Sequence, residues 1–226
     1  MNLTKPLNKY FDHTLLKPEA TGEQIDKLCQ EALEWDFYSV CVNSCYVARC
    51  TDYLMGSDVK VAAVVGFPLG AATSASKAFE TEEACMDGAR EIDMVLNVGK
   101  FKSFDYDYVR DDIKAVVVAA EKYGAIVKVI LETCLLTDEE IVEACKLSVE
   151  SGASFVKTST GFNTAGATPE HVALMRETVG DTIGVKASGG IRDLETALKM
   201  IESGADRLGA SSSVNIMQSA GASPHC

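Results

Sequence analysis

The chain has no run of about eighteen consecutive apolar residues, so the sequence predicts no transmembrane helix. Positive charge is in short supply. Twenty-one lysines and arginines stand against 33 aspartates and glutamates, giving a formal net charge of −12. A field of that sign repels nucleic acid and anionic membranes, so neither is an expected partner. The opening residues, Met1 to Phe11, lack the apolar centre of a secretory signal, and the expected location is the cytoplasm. Histidine is scarce, with three copies, and the eight cysteines include no Cys-x-x-Cys pair. A four-ligand zinc site lacks a donor set, so no metal site is expected. The cysteines, at 29, 41, 45, 50, 85, 134, 145 and 226, read as reduced thiols, mostly buried. No Gly-x-Gly-x-x-Gly turn follows the early apolar segments, which argues against a dinucleotide-binding sheet.

What is present is a repeated grammar. An amphipathic stretch ends at Gly-Ala and an apolar strand follows, at Gly88-Ala89, Gly124-Ala125, Gly152-Ala153 and Gly204-Ala205. Glycine suits a helix end because it accepts the left-handed backbone. Thr21 with Gln24 and Thr137 with Glu140 have the spacing of a capping box, and Thr168-Pro169 and Asp193 mark two further helix starts. The predicted strands are Tyr10–His13, Tyr38–Val42, Val59–Gly66, Ile92–Asn97, Ile126–Glu132, Phe155–Ser159, Ile183–Ala187 and Arg207–Ala210. The predicted helices fall near 22–35, 44–55, 74–88, 105–123, 138–151, 169–179, 193–203 and 211–217. Eight strands alternating with helices specify an α/β protein with a parallel sheet. Closed, that sheet is a (β/α)8 TIM barrel; an open doubly wound sheet is the competitor. At 226 residues and 47% hydrophobic, one large core is expected. The barrel should occupy 1–218 as a single domain with a short N-terminal helical extension. Residues 219–226, small, polar and Pro-containing, read as a disordered tail or an expression remnant.

Two strand ends carry the chemistry. One reads Phe155-Val156-Lys157-Thr158-Ser159-Thr160-Gly161 and the other Gly184-Val185-Lys186-Ala187-Ser188-Gly189-Gly190. About thirty residues separate the lysines, the length of one strand–helix–strand unit. Neighbouring parallel strands lie about 4.8 Å apart, so matched positions bring the two amines together. Like charges in a partly dry pocket favour loss of one proton, and a neutral lysine is a nucleophile toward carbonyls. Asp93 and Lys128 sit on the two preceding strands. If all four point inward, one carboxylate and three amines share a cavity suited to proton transfer. Taken singly, each lysine reads as a snorkelling surface residue and Asp93 as an ion-pair partner.

The glycine-rich turns Ser188-Gly189-Gly190 and Gly209-Ala210-Ser211 follow strands seven and eight, where barrels bind phosphate on backbone amides. Gly161, after strand six, offers another amide. The competing reading is an ordinary tight turn. Asp12 and Thr14 flank His13 and either hydrogen-bond a substrate hydroxyl or tie down the N-terminal segment. Cys41 shares parity with Asn43 and reads as a core cysteine. His171 reads as solvent-facing, and Lys77 with Glu80 as a solvated i,i+3 pair.

These segments, in order from about residue 8 to 217, resemble the deoxyribose-phosphate aldolases. The resemblance is carried by Phe11-Asp12-His13-Thr14-Leu15-Leu16, Val40-Cys41-Val42-Asn43, Val65-Gly66-Phe67-Pro68-Leu69-Gly70, Glu91-Ile92-Asp93-Met94-Val95, Lys128-Val129-Ile130-Leu131-Glu132-Thr133 and the three segments around Lys157, Lys186 and Gly209. It implies a class I aldolase that reversibly cleaves 2-deoxy-D-ribose 5-phosphate to D-glyceraldehyde 3-phosphate and acetaldehyde. It further implies Lys157 as the Schiff-base lysine, Lys186 as the neighbour that lowers its pKa, and Asp93 as the carboxylate of proton transfer. Lys128, Asp12, Thr14, Thr158, Gly161, Gly189, Gly190, Gly209 and Ser211 make up the expected substrate-binding set. The iminium is its own electron sink, so no metal or organic cofactor is expected. The partners are a sugar phosphate and an aldehyde, and a homodimer is left open. Two departures stand out: Ser44 occupies a position where proline is expected, and the chain ends in Ser-Pro-His-Cys without a C-terminal tyrosine. The alternatives are another lysine-dependent sugar-phosphate aldolase and a non-catalytic sugar-phosphate-binding barrel.

Overall fold

The computed structural model describes residues 3–224. Its strands are β1 (Phe11–Leu15), β2 (Ser39–Val42), β3 (Lys60–Val65), β4 (Glu91–Val95), β5 (Ile126–Ile130), β6 (Phe155–Lys157), β7 (Gly184–Ser188) and β8 (Arg207–Ala210). All pair in parallel in chain order, and β8 closes on β1, with Phe11 opposite Leu208. Closure leaves no unpaired sheet edge and excludes the open doubly wound alternative.

The helices are α1 (Gly22–Glu34), α2 (Val47–Tyr53), α3 (Ser74–Met86), α4 (Val98–Lys102), α5 (Tyr106–Glu121), α6 (Asp138–Glu150), α7 (Pro169–Val179), α8 (Leu194–Glu202) and α9 (Ser213–Ser219). Both capping boxes form, Thr21 with Gln24 and Thr137 with Glu140, and the Thr168 and Asp193 side chains accept from the first turns of α7 and α8. The four glycines of the Gly-Ala grammar take φ of +113° (Gly88), +66° (Gly124), +89° (Gly152) and +107° (Gly204), the backbone that ends each helix and turns it into the next strand.

Some boundaries differ from the sequence expectation. Tyr10 closes a 3-10 turn, Leu7–Tyr10, and the first strand runs on to Leu15. The segment 44–55 divides into a 3-10 turn at Ser44–Tyr46 and the short α2. The helix α4 was not expected; Asn97 starts it by accepting from the Lys100 amide. Ser219 ends α9, and the Ala222 amide bonds back to the Met217 carbonyl; the last two residues of the anticipated tail, 225 and 226, lie outside the described residues.

Strand alternation sorts the side chains into two environments. Outward positions such as Ile92, Met94, Val129 and Leu131 pack with Ile113 and Val116 of α5 in the main core. Burying each such side chain contributes about 1.5–3 kcal/mol. The inward positions depart from the usual aliphatic barrel filling. They include Asp12, Ser39, Glu91, Asp93, Lys128, Lys157, Lys186 and Arg207, all buried, beside a small apolar cluster of Leu16, Cys41, Ala62 and Val64.

The solvated Lys77–Glu80 pair does not form. Lys77 is fully buried between helix and barrel, donating to Asp112 at 2.5 Å and to the Val95 carbonyl at 2.9 Å, while Glu80 accepts from the Gly66 amide at 2.8 Å. The i,i+3 spacing identified neighbours on a helix but not which way the helix faced. Lys77→Ala leaves Asp112 as a buried, unpaired carboxylate, and breaking such a pair costs about 3–5 kcal/mol. Urea unfolding should register that loss, and adding Asp112→Asn should recover part of it.

Candidate active site

The strand register assembles the site. Asp93 lies opposite Lys128, Lys157 opposite Lys186, and Lys186 opposite Arg207. Lys157 and Lys186 both donate to the same oxygen, Asp93 Oδ2, at 2.8 and 2.7 Å. The two amines are therefore no farther apart than those two bonds laid end to end. Lys128 donates to the other oxygen, Oδ1, at 2.7 Å. Three amines thus converge on one carboxylate that has no exposed surface.

Above them opens a cavity of about 380 Å³ at the carboxyl-terminal end of the strands. Lys157 is on its floor, and Thr14, Gly161, Gly189, Gly190, Gly209 and Ser211 line it. Gly189 and Gly190 both have positive φ, +82° and +81°, which turns the backbone at the end of β7. At Gly209 the demand is close approach: a Cβ would meet Lys186 Cε at 3.2 Å and Ser188 Cβ at 3.0 Å. Exposed Lys17 and Arg192 line the same mouth and supply the positive charge that backbone amides lack. Neither was singled out from sequence, because an exposed cation carries no signal until the fold places it.

Three members of the expected substrate-binding set are placed elsewhere. Asp12 is fully buried, accepts from Lys186, Arg207 and Ser39, and does not line the cavity. Lys128 is fully buried between Asp93 and Glu91, beneath the floor. Thr158 clamps β6 to β7, donating to the Ser188 carbonyl and accepting from the Ser188 amide, both at 3.1 Å. The Thr14 hydroxyl donates to the Asp12 carbonyl at 2.8 Å, so within the cavity it retains only acceptor capacity.

Sequence reasoning missed Glu91, Arg207 and Glu132. Glu91 shares the parity of Asp93, and that alternation was the available signal. Glu132 takes a left-handed backbone, φ +58°, and its carboxylate accepts from the Thr160 amide at 3.2 Å and hydroxyl at 2.5 Å, anchoring the loop after β6. His13 faces away from the cavity, its Nε2 at 2.7 Å from Glu31.

Burial, which disfavours charge, is the largest influence on Lys157 and holds its pKa below the ordinary lysine value. Asp93 pulls the other way and Lys186 reinforces the lowering. Burial also opposes the charge on Lys186, yet Asp12 and Asp93 outweigh it and raise its pKa. Asp93, despite burial, is held well below the usual carboxylate range by Lys128, Lys157 and Lys186. The environments of the two neighbouring amines thus push their pKa values apart, Lys157 downward and Lys186 upward. Of the two influences expected from sequence, a dry pocket and a crowding cation, desolvation is the larger. Cys41, 4.0 Å from Asp93 Oδ2, has its thiol pKa raised by burial and is not a thiolate nucleophile.

A closed parallel barrel with paired buried lysines under a mouth at the carboxyl-terminal end has the architecture of a lysine aldolase. Comparison with known proteins is more specific. The family model of the DeoC/LacD family aldolases matches residues 7–219, and the chain belongs to that family. It is 64% identical over 214 residues to the deoxyribose-phosphate aldolase of Brevibacillus brevis, spanning 95% of this chain and 96% of that one. The deoxyribose-phosphate aldolase of Streptococcus sanguinis is 62% identical over 212 residues, 94% of this chain and 96% of the other. The tetrameric deoxyribose phosphate aldolase of Aeropyrum pernix superposes with a TM-score of 0.89 at 35% identity, covering 96% of this chain and 91% of that one.

Proposed function

We propose that this aldolase reversibly cleaves 2-deoxy-D-ribose 5-phosphate to D-glyceraldehyde 3-phosphate and acetaldehyde through a Schiff base on Lys157. The observation that carries the proposal is the placement of the Lys157 amine: on the cavity floor, 3% exposed, and beside a second amine on a shared carboxylate. The relatives named above act under that name, and the cavity lining agrees. Glycine-rich turns after β7 and β8 present backbone amides to an anion, with Lys17 and Arg192 beside them.

Neutral Lys157 attacks C1 of the open-chain aldehyde, and loss of water gives an iminium. The C3 hydroxyl gives its proton to a water held by Asp93 and Lys186, which later returns it at C2; the C3 oxygen becomes a carbonyl, and the C2–C3 bond breaks. Its electron pair moves into the iminium to form an enamine. Protonation at C2 and hydrolysis return acetaldehyde and the free amine. Lys186 has three N–H bonds. Asp12 and Asp93 take two, leaving the third to hydrogen-bond an oxygen that enters above Lys157. Phosphate capture at the mouth holds the scissile bond against the amine, and positioning of this kind lowers barriers by several kcal/mol. The cytoplasm suits a phosphorylated sugar, which does not cross membranes unaided. Among the described residues no helix is long and apolar enough to span a membrane. A homodimer belongs to the same reading, with Phe79 and Met86 exposed on α3 and the A. pernix relative a tetramer.

Assay of acetaldehyde release from 2-deoxy-D-ribose 5-phosphate tests the proposal. Dihydroxyacetone transfer without acetaldehyde would point to another lysine aldolase, and sugar-phosphate binding without cleavage to a silent barrel. The mouth has its own test. Ser211→Asp places a carboxylate against the incoming phosphate. Raising KM for the phosphorylated sugar about tenfold or more, while leaving unphosphorylated 2-deoxyribose unaffected, is the expected result. Equal effects on both sugars would remove Ser211 from the phosphate site.

A further inference from the structure

Six side chains inside the barrel form a closed ring of alternating charge. Lys186 bridges Asp12 and Asp93; Lys128 bridges Asp93 at 2.7 Å and Glu91 at 2.6 Å. Arg207 binds Glu91 at 3.0 Å and returns to Asp12 through Nε at 2.7 Å, completing the circuit. None of the six is more than 3% exposed. Three carboxylates alternate with three cations, so the ring is neutral. Lys157 hangs from it at Asp93 Oδ2 as a seventh group, and a proton on Lys157 is the one charge the ring leaves uncompensated.

We propose that Glu91 and Arg207 are positioning residues for the aldol reaction, closing this ring to neutrality and so fixing the protonation state of Lys157 from the far side of the barrel. The inference rests on Lys157 being the Schiff-base amine. Neither residue lines the cavity, so neither touches substrate. Arg207 is fixed from below, its guanidinium 3.6 Å from the centre of the Tyr38 ring and a further N–H on Ser39 Oγ at 3.1 Å. Half-buried Lys5 approaches from the N-terminal segment and is held on the Asp206 carbonyl. The groups facing Lys157 are Asp93 from β4, Lys186 from β7 and Cys41 from β2; Asp12 from β1 and Lys128 from β5 stand one step further off, against Lys186 and Asp93, and β3 offers only Ala62 and Val64. An aliphatic filling would be no less stable than buried ion pairs. A balanced ring also does what such a filling does not: it keeps Lys186 charged and Asp93 ionised while leaving no spare anion to stabilise a proton on Lys157.

The ring makes a signed prediction. Glu91→Gln removes an anion, leaves the interior positive, and lowers the Lys157 pKa. Arg207→Gln removes a cation, leaves it negative, and raises that pKa. The acid limb of kcat/KM reports the amine in the free enzyme. It should move down by about one pH unit in the first variant and up by about one in the second. In the double variant neutrality is restored and the limb should return close to the parent position. A merely structural role would not produce opposite shifts that cancel. Limbs that stay put, move the same way, or fail to cancel overturn the proposal. Should Arg207→Gln not fold, Glu91→Gln against Glu91→Asp decides it: only the first should displace the limb, and no displacement overturns the ring. Borohydride trapping of acetaldehyde on the parent enzyme separates the two levels. No adduct at Lys157 defeats the Schiff-base reading itself; an adduct with unmoved limbs defeats only the ring.

Discussion

Lys157→Ala should abolish the borohydride-trapped acetaldehyde adduct and lower kcat/KM by about 10⁴-fold or more, equivalent to about 5.5 kcal/mol of lost transition-state stabilisation. The size follows from what the amine supplies. Without an iminium, the electrons of the C2–C3 bond have no sink, and the cavity is left with binding alone. Lys186 does not take over. Its pKa is raised by Asp12 and Asp93, so it stays protonated, and an ammonium has no lone pair. Folding should survive, because truncation removes the one amine that the neutral ring does not need, and the Asp93 carboxylate keeps Lys128 and Lys186. Mass spectrometry of the reduced adduct, with circular dichroism as the fold control, checks both halves. An adduct that persists in the variant would transfer the role to another lysine.

The barrel was legible because its signals are local. Gly-Ala helix ends, capping boxes and apolar strand runs repeat, and each is a property of a few consecutive residues. Positions 93, 128, 157 and 186 were legible for a related reason: alternation on a strand fixes which face a side chain takes, and matching strand ends share a level. Direction along that face was harder. Lys128 and Asp12 both point inward, but whether an inward residue meets substrate or lies under the floor depends on its height in the closed barrel. Register across all eight strands sets that height. Lys77 failed in the complementary way, since helix spacing gives neighbours without saying which face is buried. Arg207 opens its strand with no local signal to mark it; closure of β8 on β1 is what brings it to Asp12, 195 residues away in sequence.

Lys186→Leu should be costly in two separable ways. The ammonium bridges Asp12 and Asp93, both fully buried, and its loss leaves their carboxylates short of a partner. Breaking buried pairs costs about 3–5 kcal/mol, which for a chain of this size lowers Tm by about 10 °C. The second effect is on chemistry. With a cation gone and both carboxylates still present, the interior turns negative, protonated Lys157 is favoured, and its pKa rises. Less neutral amine remains near pH 7, so the acid limb of kcat/KM moves to higher pH. If Lys186 acted through charge alone, raising the pH would restore the neutral amine and with it the full rate. The free N–H of Lys186 predicts otherwise. The proton-handling contact is absent at every pH, so the alkaline plateau should remain about 10²-fold or more below the parent. A pH profile of the variant, taken at a temperature below its lowered Tm, separates the two contributions. A plateau that recovers completely would confine Lys186 to electrostatics and take it out of proton transfer. A plateau that stays depressed while the limb shifts upward would assign it both roles.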